Sequence, residues 1–196
     1  VEFFGSMGAE FEWKLYSHDT PADLGARLKA RGFIPGKPEA LMVVDVHELA
    51  QDLQALDTAV VRRVTSPAEV DAIIVMENEV WGSDLSRIGE GLKHDLLKFP
   101  HLLSIYAVWD GGRVISAAWT WFLEPTSFAG LWGGSTLKDY RGRGYYRALL
   151  AARAREARER GFRFLQVDAS PDSQPILAKN GFRCLGYSTS YEWKAG

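Results

Sequence analysis

Tyr140-Arg141-Gly142-Arg143-Gly144-Tyr145-Tyr146-Arg147-Ala148-Leu149-Leu150 is a glycine-punctuated turn that runs straight into an alanine- and leucine-rich helix. Glycines let successive backbone N–H groups converge without Cβ clashes, and a helix N-terminus adds roughly half a positive charge from its unpaired donors. Such a turn cradles an anion, and a pyrophosphate fits it. A Walker loop requires Lys followed by Ser or Thr at the helix start, where this chain has Tyr145 and Tyr146. A dinucleotide fingerprint requires a third glycine where this chain has Arg147, and an acidic residue about twenty positions on, where it has Gly161-Phe162-Arg163. Both of these phosphate-binding classes are therefore disfavoured.

Three further segments flank the turn in order. Upstream, Gly130-Leu131-Trp132-Gly133-Gly134-Ser135-Thr136-Leu137 reads as the strand that feeds it. Downstream come the strand Phe164–Asp168 and a short helix from Ser173 that closes in Gly181-Phe182. Together with Arg141, Gly144 and Tyr146, this order resembles the R/Q-x-x-G-x-G/A turn and its surroundings in the GNAT superfamily of acyl-CoA-dependent N-acetyltransferases. The resemblance covers residues 60–196 and implies an α/β (mixed α+β) fold, a central mixed sheet flanked by helices. Val60–Val64 would be the first strand and two helices would lie between Pro67 and Phe99. Leu103–Trp109 and Arg113–Leu123 would form a hairpin around Asp110-Gly111-Gly112, a strong turn signal in its own right.

Residues 9–58 form a separate segment ahead of the acetyltransferase domain, placed at 59–196. Trp13–Tyr16 reads as a short strand, Pro21–Ala30 as an amphipathic helix with Leu24 and Leu28 one turn apart, and Leu41–Val46 as a buried strand. At a constant offset, Asp19, Asp23, Leu28, Gly32 and Phe33 match Asp168, Asp172, Leu177, Gly181 and Phe182. The segment then reads either as a degenerate copy of the second half of a GNAT domain or as a coincidental strand-helix-strand cap.

Composition sets outer limits. The 196 residues are 46% hydrophobic and 24% charged, enough for one or two compact domains with a core, and the net charge of −2 argues against a dedicated nucleic-acid binder. One cysteine, Cys184, leaves no internal disulfide framework, and no apolar run approaches the ~20 residues of a membrane span. A cytoplasmic location is expected. The opening Val1–Met7, with neither a basic start nor a long apolar stretch, reads as a cloning remnant rather than a signal peptide.

The resemblance implies acetyl-CoA as cosubstrate and no metal. The N–H groups of Gly142, Arg143, Gly144, Tyr145 and Tyr146 would hold the pyrophosphate, with charge-assisted contacts from Arg141 and Arg143. The pantetheine arm would run along Ser135, Thr136 and Leu137, where a strand N–H meets the acetyl oxygen, and Ser170 and Ser173 would bond its amides. The amine attacks directly, so no covalent enzyme intermediate is required. The family's leaving-group tyrosine stands where this chain has Leu177, which leaves Tyr187 and Tyr191 as candidate proton donors.

For the base, Val70, Ile73, Ile74, Glu77 and Trp81 keep helical spacing, which puts Glu77 on an otherwise apolar stripe. A carboxylate held there loses solvation and its pKa rises, as deprotonating an ammonium requires. The stretch also carries Glu79, Asp84, Glu90 and Asp95 against Arg87 and Lys93, an acidic wall suited to a cationic small-molecule or peptide amine. The arginines after Arg141 form i, i+4 pairs with acids, Arg155-Glu159, Glu156-Arg160 and Glu159-Arg163, expected on a solvated helix face. The expected partners are acetyl-CoA and an amine acceptor, with no nucleic acid and no membrane, and a homodimer is left open. The alternative is a non-catalytic acyl-CoA-binding sensor or interaction module.

Overall fold

A computed structural model describes residues 2–8 and 10–194. Val1 and residue 9, where the N-terminal segment is expected to begin, lie outside the described residues. In chain order the elements are α1 (Glu2–Ser6), β1 (Phe11–Tyr16), α2 (Leu24–Ala30), β2 (Ile34–Pro35), β3 (Glu39–Asp45), α3 (Gln51–Gln54) and β4 (Val61–Val64). There follow α4 (Pro67–Trp81), α5 (Ser86–Lys98), β5 (Leu103–Asp110), β6 (Arg113–Phe122), β7 (Phe128–Thr136) and a 3-10 turn (Lys138–Tyr140). The last elements are α6 (Tyr145–Glu159), β8 (Phe164–Ala169), α7 (Gln174–Lys179) and β9 (Arg183–Trp193). Each secondary-structure element expected from the sequence is present within a few residues, and the chain closes on one further long strand, β9. Among the described residues no helix is long and apolar enough to cross a membrane.

Contacts group the chain into two compact units, Val1–Val43 with Val167–Gly196, and Val44–Gln166. These units cut across the expected segmentation at 58/59, because the chain changes unit inside β3 and again inside β8.

The unit Val44–Gln166 is built on antiparallel pairing of β4 with β5, β5 with β6 and β6 with β7, and β7 then pairs in parallel with β8. The β5–β6 hairpin turns at Asp110↔Arg113, as the Asp-Gly-Gly signal requires. The helix α4 starts at a capping box: Ser66 Oγ accepts from Glu69 N–H and the Glu69 carboxylate accepts from Ser66 N–H, ahead of Pro67 in the first turn. Its buried stripe is Val70, Ile73, Ile74 and Glu77, and the apolar members join a core with Ile105, Ala107, Ile115 and Leu149.

Parallel pairing of β7 with β8 reaches only Gly130↔Gln166. On its other side β7 pairs Trp132 with Trp119 and Ser135 with Ala117, so Gly133 and Gly134 together face the single Ala118. That extra residue is a β-bulge. It requires glycine: Gly133 has φ +59°, and a Cβ there would lie 1.9 Å from the Trp119 ring.

In the other unit β9 pairs antiparallel with β1, β2 and β3. Leu28, Phe33 and Tyr191 form its buried cluster, with Phe11, Leu15, Leu24 and Trp193 packed around them. α2 ends with Phe33 N–H bonded to Leu28 O at 3.2 Å and Gly32 N–H to Lys29 O at 3.0 Å. α7 ends the same way, Phe182 to Leu177 at 3.1 Å and Gly181 to Ala178 at 3.2 Å. These are Schellman caps. A third closes α6, outside the proposed correspondence, through Phe162 to Ala157 at 2.9 Å and Gly161 to Arg158 at 3.1 Å. Three of the five offset matches therefore have a local explanation in helix-end chemistry.

Candidate active site

Glu77 is a carboxylate inside the α4 stripe, 1% exposed. Its Oε2 accepts from Ser135 Oγ on β7 at 2.7 Å and from Trp81 Nε1 one turn further along α4 at 2.8 Å. The Trp81 N–H also reaches Ser135 Oγ at 3.2 Å. Glu77 Oε1 is buried without a hydrogen-bond partner. Burial raises the Glu77 pKa from 4.5 to about 7, against the opposing pull of the bonds from Ser135 and Trp81. Spacing placed Glu77 on the apolar face with Trp81 one turn along the same stripe, whereas its other donor, Ser135, comes from β7 and no sequence signal singled it out.

The turn before α6 has the geometry of an anion cradle. Gly142 and Gly144 have φ of +76° and +86°, and a Cβ at either would meet nothing within 4 Å, so the space outside them is open. Gly144 caps α6 in the left-handed region, and the first-turn N–H groups that follow, including those of Tyr145 and Tyr146, have no carbonyl within the helix to bond. Arg141 Nε donates to Thr136 O at 3.2 Å, and Arg143 Nη2 to Asp139 O at 2.9 Å with its guanidinium over the Tyr140 ring. Both arginines are exposed. The Tyr146 ring lies against Gly134, where a Cβ would come within 2.8 Å of it, so the residue that departs from the family's small side chain fills the bulge instead.

Ser135 is buried with its carbonyl bonded by Ser116 Oγ at 2.7 Å, and Thr136 Oγ1 lies 2.7 Å from the same hydroxyl. Leu137 is buried, its N–H bonded to Ile115 O at 3.0 Å. Ser170 and Ser173 are occupied with each other, their hydroxyls 3.2 Å apart at the start of α7. Tyr187 and Tyr191 both lie on β9 but differ in setting. Tyr187 is half-exposed, whereas Tyr191 is buried with its hydroxyl against Gly25. Leu177 is fully buried.

Two sequence expectations are modified. Part of the acidic wall is paired: Glu79 with Arg113, and Glu90 with Lys93 at 2.7 Å, a lysine it shares with Asp71 at 2.8 Å, while Asp84 accepts from Ser86. Nor does α6 present a purely solvated charged face. Glu156 is buried and accepts from Ser104 Oγ at 2.7 Å, Arg63 at 2.9 Å and Tyr106 OH at 3.0 Å, with Arg160 more distant at 3.4 Å. Arg163 pairs with Asp45 and Arg155 with Thr58, because these acceptors are held by tertiary structure rather than by helix spacing.

The profile of the Acetyltransferase (GNAT) family matches residues 70–182, from the start of the α4 stripe to the Gly-Phe after α7. The chain belongs to this family. Among solved structures the likeness extends along the whole chain in two of the three cases that follow. A GCN5-related N-acetyltransferase from Kribbella flavida is 17% identical, with a TM-score of 0.68 over 100% of this chain and 72% of its own. A tandem GNAT protein from the clavulanic acid biosynthesis pathway is 15% identical, with a TM-score of 0.65 over 100% of this chain and 67% of its own. A predicted acetyltransferase with acetyl-CoA from Clostridium acetobutylicum is 17% identical, with a TM-score of 0.55 over 63% of this chain and 88% of its own. At these identities the likeness is one of fold. No curated protein matches the chain.

Proposed function

We propose that this GNAT acetyltransferase moves the acetyl group of acetyl-CoA directly to an amine, with Glu77 as the general base. The observation that carries this reading is the Glu77 carboxylate, buried, without a counter-ion, and titrating near neutrality. A base with a pKa near the working pH combines the right protonation state with a useful driving force. The open turn at Arg141–Tyr146 supports CoA as the acyl carrier, and acetyl-CoA accompanies the Clostridium acetobutylicum relative of the same fold.

In this scheme the pyrophosphate sits on the α6 N-terminus and the thioester lies along Ser135–Leu137. The ammonium first gives one proton to Glu77 Oε1, the oxygen without a partner, through an ordered water. The freed amine nitrogen forms a bond to the acetyl carbon, the C–S bond breaks, CoA leaves as thiolate, and the second nitrogen proton is released to water. With leucine at position 177, where the family's tyrosine stands, the thiolate takes its proton from water. A free thiol has a pKa of about 8.5, which makes thiolate a tolerable leaving group.

The acceptor we favour is a cationic small molecule or a peptide amine, whose ammonium form requires a base of this strength. Pairing of Glu79 and Glu90 leaves that preference resting on Glu77 rather than on a broad acidic surface. Thiol release from acetyl-CoA against a panel of cationic, peptide and neutral aromatic amines tests the scheme. Turnover of the cationic or peptide amines, lowered about a hundredfold in Glu77→Gln, is expected. Release confined to neutral arylamines, or indifferent to Glu77→Gln, would overturn it.

A further inference from the structure

Arg153 on α6 is 2% exposed and is among the largest fully buried side chains. It forms no salt bridge among the described residues. Its guanidinium donates to main-chain oxygens: Nε to Leu149 O at 3.2 Å, and Nη1 to Trp119 O at 3.3 Å and Trp132 O at 3.4 Å. Burial lowers its pKa to about 10, so it is still charged at neutral pH. The hydroxyl of half-buried Tyr146 acts on it electrostatically, and desolvation raises the Tyr146 pKa, so the phenol is neutral at pH 7. A buried cation without a counter-ion is an unfavourable choice for a core, and apolar residues of similar volume commonly hold such positions as well or better.

The two strand carbonyls it bonds locate its role. Trp119 and Trp132 are the last ladder pair before the bulge, and beyond the bulge the ladder resumes at Ala117↔Ser135. A bulge disrupts the ladder locally. Arg153 reaches both carbonyls beside it from α6, the helix that begins at the Arg141–Tyr146 turn. Past the bulge lies Ser135, which grips Glu77.

We propose that Arg153 is a positioning residue for acyl transfer: it ties the β7 bulge to α6, so that the Ser135–Leu137 edge and the Arg141–Tyr146 turn keep a fixed spacing. This rests on the reading of that edge and turn as the acetyl-CoA site. A thioester held at one end by its pyrophosphate and at the other by a strand edge reacts only when both are in register, and a small misplacement costs rate more than binding.

Arg153→Met and Arg153→Lys in the full chain test this, through melting temperature, CoA affinity by calorimetry, and kcat and KM for acetyl-CoA with a saturating amine. Arg153→Met is expected to stay folded and bind CoA about as tightly as the parent, with kcat lowered at least about tenfold. Arg153→Lys, keeping the charge and part of the bonding, should recover some of that loss. Parental kcat in folded Arg153→Met overturns the proposal, as does a loss that only tracks the unfolded fraction. If Arg153→Met does not fold, Arg153→Gln takes its place under the same criteria, and failure of both to fold establishes a purely structural role. A parent that does not turn over acetyl-CoA sinks the site reading and this inference together, whereas an active parent matched by Arg153→Met sinks this inference alone.

Discussion

Ser135 Oγ donates to Glu77 Oε2 at 2.7 Å, joining the middle of α4 to the far side of the β7 bulge across 58 positions of sequence. This bond favours the ionised carboxylate and so opposes the effect of burial. Ser135→Ala should therefore push the Glu77 pKa above its value of about 7. A hydrogen bond to a charged group is worth about 1.5–3 kcal/mol, so the rising limb of kcat/KM against pH should move alkaline by about one unit or more. An unmoved or acid-shifted limb would remove Glu77 from the titration.

Glu77 should also govern stability in the neutral range. Its folded pKa lies above 4.5, the ordinary value, so below pH 4.5 both states are protonated and no difference arises. Between there and about pH 7 the unfolded chain ionises while the native state holds its proton, so stability falls as pH rises. The full cost above that range is on the order of 3 kcal/mol. Glu77→Gln should match the parent in denaturant unfolding at pH 4 and exceed it at pH 8, the reverse of its effect on turnover.

Gly144 takes φ +86° at the start of α6, a conformation that strains any residue with a Cβ. Gly144→Asp would add that strain and a negative charge where a phosphate must sit. Calorimetry should show acetyl-CoA affinity reduced at least about tenfold, while far-UV circular dichroism shows the helix content retained. Parental affinity would move the cofactor away from this turn.

Glu156 satisfies Arg63, Ser104 and Tyr106 at once beneath β4 and β5. Glu156→Ala should lose about 3 kcal/mol, with a melting temperature lower by roughly 10 °C, because the partners of a broken buried network stay behind. A surface ion pair of the kind helix spacing suggests would change stability by less than about 1 kcal/mol, and thermal unfolding separates the two.

Removal of residues up to 58 deletes β1, β2 and β3, all the strands paired with β9 in its unit. The exposed β9 edge and the stranded cluster around Tyr191 should make the remaining fragment insoluble or aggregation-prone. A monodisperse, well-melting 59–196 fragment by size-exclusion chromatography and calorimetry would contradict this.

Much of the candidate site was legible locally. The proposed cradle is a run of neighbours whose glycines and helix start act over a few residues, and the α4 stripe follows from 3.6-residue periodicity, which is why Glu77 stood out as the odd member of an apolar face. The Gly-Phe matches between the two ends of the chain were legible too, but what they express is the Schellman cap, since α6 ends in the same way. The ion pairs were the least legible. Helix spacing proposed Glu156 with Arg160, whereas the closest partners of Glu156 come from β4 and β5.

Backbone geometry and hydrophobic period are short-range, so the sequence is sufficient for the order of strands and helices, the hairpin at Asp110–Arg113 and the anion turn. The charge state of a side chain depends on what displaces its water and which dipoles face it, and some of those groups, such as Ser135 for Glu77, arrive from distant segments. Glu77 titrates near 7 because the core around α4 excludes solvent while only Ser135 and Trp81 answer its charge. The buried Arg153 guanidinium reaches carbonyls that β6 and β7 present beside the bulge. Both conditions come into being only when α4, α6, β6 and β7 have packed together.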